Sequence, residues 1–358
     1  SGAIDPRRVR AAVVETLERA TASGHTLLPV DWVIERVRSA DWKPELPLSE
    51  DVLPLAEPSF AEVIERVEMK KGAAYQLVRF VDSRRIIASE VDQRTGPRAK
   101  PHAGGPKDWR QVIDAELGPI SNGEPIEAAL EQRAREEKTA ALETTFRSRL
   151  SVVIGAAGTG KTTLLKMLLD LPEVKKGGVL LLAPTGKARV RLETATKRPG
   201  EGQTIAQFLL GLHRYDGKTG RYHPRPGAPK CSDYATVVID ECSMLTEDQL
   251  AAVFDALGKV QRYVLVGDPR QLPPIRAGRP FVDIVRQLAP ADVDARFPRS
   301  GLGYAELTIP RRQKGEGRDD VLLATWFASG ASSPVTDEVW SRVEAGERPN
   351  IRAVEWTS

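Results

Sequence analysis

The sequence predicts an α/β fold in which a parallel sheet is covered by helices on both faces. Four short and almost wholly apolar runs indicate buried strands: 150–155, 179–183, 236–240 and 263–267. Helical patterns follow these runs at 161–171, 186–196, 203–212 and 246–257. Apolar strands that alternate with helices are typical of a parallel sheet buried on both faces. Ligands bind such sheets at the carboxyl ends of the strands, so the polar loops after these runs are the candidate site.

Bulk composition limits the class of protein. The chain has 358 residues, which suggests two or three domains, and its 41% hydrophobic and 28% charged residues are typical of globular domains. No run approaches the roughly 20 apolar residues of a membrane span, so we expect no contact with a membrane. Cys231 and Cys242 are the only cysteines, and the four histidines show no metal-ligand spacing. We therefore expect neither a disulfide framework nor a zinc site, and a reducing, cytoplasmic setting.

The N-terminal part is expected to form two regions ahead of the main domain. Residues 1–58 are predicted to be helical, with helices at 8–22 and 30–38 that resemble a winged-helix module, and a proline-rich linker at 43–58. Residues 59–123 are predicted to be a small α+β region with a loop. Within it we expect a helix at 59–70, strands at 73–81 and 85–91, and a loop at 93–107. A charged helix at 124–148 then leads into the main domain, 124–305.

The loop after the first apolar strand fits a phosphate-binding motif. Gly155–Thr162 matches GxxxxGK[ST] and lies between a strand and a helix, which is the context that this motif requires. Glycines let the backbone curl so that its N–H groups converge on phosphate oxygens. Lys161 is expected to reach the β- and γ-phosphates of ATP, and the Thr162 hydroxyl to bind Mg²⁺. The predicted nucleotide-binding residues are Gly155, Ala156, Ala157, Gly158, Thr159, Gly160, Lys161, Thr162 and Thr163. The alternative is a glycine-rich turn with a chance lysine.

Two further strand ends carry polar groups suited to nucleotide hydrolysis. The run 237–239 ends in Asp240 and Glu241. We expect Asp240 to hold Mg²⁺ and Glu241 to orient and deprotonate the attacking water. The loop 267–274 contains Gln271, whose amide can donate and accept hydrogen bonds and so act as a sensor of the γ-phosphate. The alternatives are solvated acids at a strand end and an ordinary Gly-Asp-Pro turn.

Together these motifs resemble the first motor domain of a superfamily 1 helicase, of the RecD-like branch that moves 5′ to 3′ on DNA. Further matches are Ala183–Ala188, Gln203–Leu209, Ile239–Leu245, Gly267–Pro274 and Leu307–Gln313, and the segment Gly24–Pro29 is similar to one that precedes the motor in this branch. The resemblance implies a RecA-like fold, and it implies use of ATP and Mg²⁺. It places Pro184, Thr185, Lys187 and Thr204 along single-stranded DNA. It also makes Arg312 the arginine finger, a catalytic residue together with Lys161, Glu241 and Gln271.

A basic stretch and a predicted hairpin add to this hypothesis. Between Pro184 and Lys230 there are ten basic and three acidic residues, a positive field that suits a polyanion or else a solvated basic face. The segment 213–223 predicts a β-hairpin because Asp-Gly is flanked by aromatic residues, within an insertion near 213–226. In the resembled branch a hairpin here meets the duplex junction. Tyr215, Tyr222 and His213 would then stack on bases; alternatively the aromatic rings pack on each other.

Two departures from the family pattern stand out. Lys138 occupies the position at which this branch usually carries a glutamine that reads the adenine ring. The motifs of a second motor domain do not follow, so 306–358 is expected to be the truncated start of that domain in a fragment of a longer protein. Two other functions stay open: an RNA-directed motor of the same superfamily, and a nucleic-acid-binding module that ATP switches. We expect a monomer acting on single-stranded DNA.

Overall fold

The N-terminal region combines helices with a small antiparallel sheet. The computed structural model describes residues 4–120 and 125–309, together with Ser341 and Ala345. The first elements are α1 (Pro6–Ala22), β1 (Leu27–Pro29), α2 (Val30–Ser39), α3 (Val52–Ala56), β2 (Ile64–Met69) and β3 (Gly72–Leu77). The three strands pair antiparallel in the order β1-β3-β2. Both predicted N-terminal helices are present, and Asp5 begins the first by accepting a hydrogen bond from the amide of Arg7. The winged-helix interpretation stays a prediction.

Two predictions for this region are wrong. Residues 64–69 form a strand and not a helix, because they pair with β3 across a two-residue turn at 70–71. Gly72, which begins β3 directly after the turn, has a φ of 95° that favours glycine. Residues 78–95 form one helix, α4 (Val78–Thr95), in place of a second strand. Ile87 and Val91, one helical turn apart, are buried against the main sheet. That burial settles a pattern that is ambiguous between a strand and a helix.

The predicted linker is part of the N-terminal core. Leu46, Leu48 and Leu53 are fully buried and belong to the same cluster as Val9 and Val13 of α1. Prolines keep most of the segment out of regular structure, but its leucines still lose their contact with water. The segment therefore packs as part of the N-terminal region.

The main domain alternates strands and helices. Its elements are α5 (Trp109–Leu117), α6 (Pro125–Arg147), β4 (Leu150–Ile154), α7 (Lys161–Asp170), α8 (Pro172–Lys175), β5 (Val179–Ala183), α9 (Gly186–Thr196), β6 (Gly202–Thr204), α10 (Ile205–Gly211), β7 (Tyr215–Asp216), β8 (Arg221–Tyr222), β9 (Thr236–Ile239), α11 (Glu247–Ala256), β10 (Arg262–Gly267), α12 (Pro280–Leu288), β11 (Ser300–Gly301) and β12 (Tyr304–Glu306). The seven-stranded sheet has the order β11-β12-β4-β10-β9-β5-β6. All of its pairs are parallel except β11 with β12.

Helices cover both faces of this sheet, as the sequence predicts. Successive strand residues point to opposite faces, so Val152 packs with α11 and α12 whereas Val153 packs with α6 and α7. The predicted α/β fold class, a RecA-like parallel sheet preceded by a smaller and largely helical region, is confirmed. None of the described helices is long and apolar enough to cross a membrane.

The strand β12 joins the sheet beside the phosphate loop and carries the chain towards residue 309. The amide of Leu307 donates to the carbonyl of Ile154, at the end of β4. The buried carboxylate of Glu137 on α6 accepts hydrogen bonds from the amides of Thr308 and Ile309 and from the Thr308 hydroxyl. This anchor fixes residues 307–309 above the sheet. The predicted start of a second domain lies outside the described residues from Pro310 onward, apart from Ser341 and Ala345.

A buried ion pair anchors the insertion that carries β7 and β8. Arg214 is 1% exposed, and its Nε donates to Oδ2 of Asp255 at 2.7 Å. The same guanidinium donates through Nη1 to the carbonyls of Leu212 and Pro229 and through Nη2 to the carbonyl of Asp255. The amide of Arg225 donates to the same carboxylate oxygen. Each end of the insertion is thereby tied to α11.

Removing one partner of this pair should destabilise the protein. We expect Arg214→Ala to lower the free energy of unfolding by about 3–5 kcal/mol, because it leaves the Asp255 carboxylate buried and unpaired. Urea denaturation measures the change. Arg147→Ala removes an exposed arginine that pairs with Glu143 and should cost less than about 1 kcal/mol. Losses of equal size in the two variants would contradict the assigned role of Arg214.

Candidate nucleotide site and nucleic-acid face

The phosphate loop owes its shape to glycine conformations. Gly155, Gly158 and Gly160 have φ values of 150°, 83° and 97°, which side chains rarely adopt. A Cβ atom at Gly155 would also overlap the carbonyl oxygen of Leu307. The buried hydroxyl of Thr159 donates to the carbonyl of Ala156 at 2.9 Å and closes the loop. The residues predicted from the motif therefore form one curled segment at the carboxyl end of β4.

Lys161 lies inside this loop. It opens α7, and its ammonium donates to the carbonyls of Gly155 and Ala156. Burial lowers the pKa of Lys161, whereas the carboxylates of Asp268 and Asp240 attract the ammonium and oppose that change. The charge of Lys161 is therefore held where a phosphate group following the curled backbone would meet it.

Asp240 and Glu241 follow the strand β9, two strands away from the phosphate loop in the sheet. Asp240 is 6% exposed, and burial raises the pKa of its carboxyl group. Its Oδ1 accepts a hydrogen bond from the amide of Glu241 at 2.9 Å. Glu241 has a φ of 53°, a left-handed conformation that is uncommon for a residue other than glycine. Its Oε1 lies 3.3 Å from Nη1 of Arg191 on α9.

The oxygen donors in this site fit Mg²⁺. The ion prefers oxygen ligands and retains several waters, so the Thr162 hydroxyl and the Asp240 carboxylate would suffice beside phosphate oxygens. A cation would also offset the burial that raises the pKa of Asp240. No cluster of three or more histidine, cysteine or acidic side chains suited to a metal occurs in the described ranges.

A cleft of about 310 Å³ opens beside the phosphate loop. It is lined by Leu117, Lys138, Gly158, Gly160, Lys161, Thr162, Thr163, Arg191 and Ala195. Lys138 is 2% exposed, and a Cβ atom at Gly160 would lie 2.9 Å from its Cε. The lysine that replaces the usual glutamine therefore packs against the phosphate loop itself.

The predicted sensor lies in an exposed turn after β10. The backbone N–H of Gln271 donates to the carbonyl of Asp268, and the side chain of Gln271 is exposed. The neighbouring Arg270 pairs with buried Glu306 of β12 at 3.0 Å, and this pair ties the turn to the sheet. The predicted arginine finger, Arg312, lies outside the described residues.

The residues predicted to meet nucleic acid gather at the carboxyl ends of β5 and β6. Ala183 and Thr204 are register partners in these two strands, so Pro184 and Thr185 lie beside Thr204. Thr185 and Lys187 are exposed at the start of α9. Both threonines are helix N-caps: the Thr185 hydroxyl accepts from the amide of Ala188 and the Thr204 hydroxyl from that of Gln207. Both hydroxyls therefore already stabilise the start of a helix.

The predicted hairpin is present, but its two tyrosines face each other. Tyr215 and Tyr222 are register partners with ring centroids 4.5 Å apart, and both rings pack against the domain core. Asp216 shapes the turn by accepting from the amide of Lys218 and the hydroxyl of Thr219. This arrangement corresponds to the alternative in which the aromatic rings pack on each other. The hairpin leaves exposed its tip at 217–219, together with His213, Arg221 and His223.

Two residues that make contacts in the site belong to none of the sequence motifs. Arg191 is one charge of the basic stretch 184–230 and follows Lys187 by four residues on a predicted helix. Glu137 precedes Lys138, and its carboxylate anchors the segment after β12. The spacing of Arg191 from Lys187 indicates that both lie on one face of a helix. No local pattern indicates the long-range partners of Arg191 or Glu137.

Comparison with known proteins places this geometry in a family. Residues 133–297 match the model of a AAA domain family. The ATP-dependent RecD2 DNA helicase of Deinococcus radiodurans is 31% identical over 301 residues, which span 80% of this chain and 37% of that protein. The RecBCD enzyme subunit RecD of Mycolicibacterium smegmatis is 32% identical over 173 residues, 43% of this chain and 30% of that protein.

A solved structure of Bacteroides Pif1 bound to single-stranded DNA covers 58% of this chain and 49% of its own, with 22% identity and a TM-score of 0.36. The chain spans about a third of the length of the curated relatives that it matches. The predicted resemblance is confirmed by the named relatives and by the matched family model. The chain carries a RecD-like superfamily 1 helicase domain.

Proposed function

We propose that this chain binds ATP with Mg²⁺ and uses its hydrolysis to drive movement along single-stranded DNA. The observation that carries the proposal is the shared edge of the sheet. The phosphate loop, the acids after β9 and the start of α9 all follow the carboxyl ends of strands in one sheet. A nucleotide in the cleft and a strand across α9 would therefore lie on the same rigid platform.

The chain's own residues supply the elements of the reaction. The curled backbone at Gly155–Gly160 presents N–H groups to phosphate oxygens, and the ammonium of Lys161 balances their charge. Thr162 and Asp240 would hold Mg²⁺, which when bound neutralises phosphate charge and orients the transferred group. Glu241 positions a water for attack and accepts its proton. Gln271 and Arg312 are assigned the sensor and arginine-finger roles that the resemblance implies.

One observation supports DNA over RNA: the relative from Deinococcus radiodurans is named a DNA helicase. Contacts to phosphates at Thr185 and Lys187 would bind either nucleic acid without reading its bases. We place the exposed hairpin tip, rather than the Tyr215–Tyr222 pair, at a duplex junction. Movement from 5′ to 3′ rests on the resemblance alone. We also infer a monomer in the cytoplasm, where the free thiols of Cys231 and Cys242 would stay reduced.

A competing function is a nucleic-acid-binding module that ATP only switches. Such a module needs nucleotide binding but no general base. The placement of Glu241 at the end of β9, beside a buried aspartate, favours hydrolysis over switching. An RNA-directed motor would share the whole ATP site, and comparing stimulation by DNA and RNA oligonucleotides separates it from the DNA motor.

Lys161→Ala should weaken Mg²⁺-dependent ATP binding. The variant removes the cation that the loop carbonyls hold in place, so affinity should fall at least about tenfold. Isothermal titration with ATP and Mg²⁺ measures the change. Lys166→Ala, on the far side of α7 where it pairs with Glu116, is the matched control and should bind as the unaltered protein does. Unchanged binding by Lys161→Ala would remove the motor interpretation.

Glu241→Gln should retain ATP binding and lose turnover. The amide keeps the size of the side chain but cannot accept the proton of the attacking water. We expect phosphate release to fall by about 100-fold or more in a steady-state assay with Mg²⁺. Turnover that persists in the purified variant would exclude Glu241 as the general base and would favour a switch module.

Lys187→Ala should weaken single-stranded DNA binding in a salt-dependent way. One lost phosphate contact is expected to reduce the slope of log affinity against log salt by about 0.7. Fluorescence anisotropy with a labelled oligothymidine at several salt concentrations gives this slope. Lys176→Ala changes an exposed lysine just before β5, at the opposite edge of the sheet, and should leave the slope unaltered. Equal slopes for both variants would contradict the proposed position of the DNA strand at α9.

A further inference from the structure

The predicted general base is not free in the described structure. Nη1 of Arg191 lies 3.3 Å from Oε1 of Glu241, and it donates a hydrogen bond to that carboxylate within an ion pair. The Arg191 side chain is 55% exposed and that of Glu241 18% exposed, so water screens the pair and its strength is modest. A pair of that strength can be exchanged for another partner without unfolding the site.

Arg191 also reaches the nucleotide cleft. It lines this cleft together with Lys161 and Thr162. Its charge lowers the pKa of Lys161 and opposes the rise in the pKa of Asp240, which is further evidence that its field extends over the site. A triphosphate in the cleft would therefore compete with Glu241 for the same guanidinium.

The helix α9 joins this arginine to the proposed nucleic-acid face. The helix begins at the N-cap Thr185, and Lys187 precedes Arg191 by four residues, so both side chains lie on one helical face. The buried Leu192 and the carboxylate of Glu193, which accepts from the amide of Gly202, fix the middle of the helix to the sheet. The helix therefore stays in place, and Lys187 and Arg191 form a row of positive charge along one face of it.

Glu241 cannot easily leave the pair through its own backbone. Its left-handed φ of 53° is fixed by the turn that follows β9, where the amide donates to Asp240. The Cα–Cβ bond of Glu241 therefore keeps its direction, and the pair separates by rotation of side-chain torsions, above all those of the more exposed Arg191.

We propose that Arg191 is a positioning residue that restrains Glu241 until a strand binds at the start of α9. The guanidinium occupies a carboxylate oxygen that the attacking water needs. Phosphates at Lys187 and in the cleft draw the Arg191 side chain away, and Glu241 then accepts a hydrogen bond from the water. This inference rests on the proposed function, and assigns to one residue the coupling between strand binding and hydrolysis.

The experiment compares the full chain with Arg191→Ala and Arg191→Lys. Phosphate release is measured with Mg²⁺ and ATP, with and without a 20-nucleotide oligothymidine. We expect Arg191→Ala to raise the DNA-independent rate by about two- to fivefold, as loss of a half-exposed pair allows, and to reduce stimulation by DNA by a similar factor. Arg191→Lys keeps the charge and should restore most of the stimulation. Arg147→Ala, which removes an arginine of an exposed pair far from the cleft, should match the unaltered chain.

A second measurement tests the proposal without turnover, in case phosphate release is too slow for rates to be compared. The affinity for a non-hydrolysable ATP analogue with Mg²⁺ is titrated with and without the oligothymidine. Linkage requires that each ligand change the affinity for the other by the same factor. We expect that factor to fall towards one in Arg191→Ala while the affinity for each ligand alone changes little.

The outcomes separate the two proposals. If the unaltered chain shows no Mg²⁺-dependent ATP binding, the proposed function itself fails. If it binds both ligands but Arg191→Ala lowers the basal rate, or leaves both the rates and the linkage unchanged, the restraint on Glu241 is overturned. A rise in the basal rate that persists in Arg191→Ala combined with Glu241→Gln would also overturn it, because the added turnover would then bypass Glu241.

Discussion

The site depends on one constraint: the backbone between β4 and α7 must curl so tightly that only glycine fits at its bends. Gly155 is the most demanding position, since any side chain there would strike the carbonyl of Leu307 on the neighbouring segment. The same curl brings the carbonyls of Gly155 and Ala156 to the ammonium of Lys161. The shape of the loop therefore determines both the position of the lysine and the packing of residues 307–309.

The parallel sheet brings the acids after β9 and the turn after β10 to the same edge as this loop, because β10 lies between β4 and β9. Burial raises the pKa of Asp240, and nearby cations oppose that rise. The cost of a buried carboxylate is tolerated at a position where Mg²⁺ would reverse it, which is typical of functional sites.

Much of the main domain could be predicted from sequence, because its strands are short apolar runs that end in motif residues. The motif spacing also placed the phosphate loop and the acids at strand ends. The N-terminal region was harder: 64–69 is a half-exposed strand of mixed charge, and α4 matches a helix only once its contact with the main sheet is known. The partners of Glu137, Arg191 and Arg214 arise from long-range packing that no local spacing indicates.

The threonines at the proposed nucleic-acid face show how one hydroxyl could serve both fold and function. The hydroxyls of Thr185 and Thr204 already cap helices, so substituting either would loosen the start of α9 or α10 as well as any contact with a strand. Lys187 has no such structural duty and is exposed, and Arg191 stands one turn further along the same face. A strand bound along this face could therefore meet both side chains, and the proposed coupling of strand and nucleotide needs no motion larger than an exchange of one ion pair.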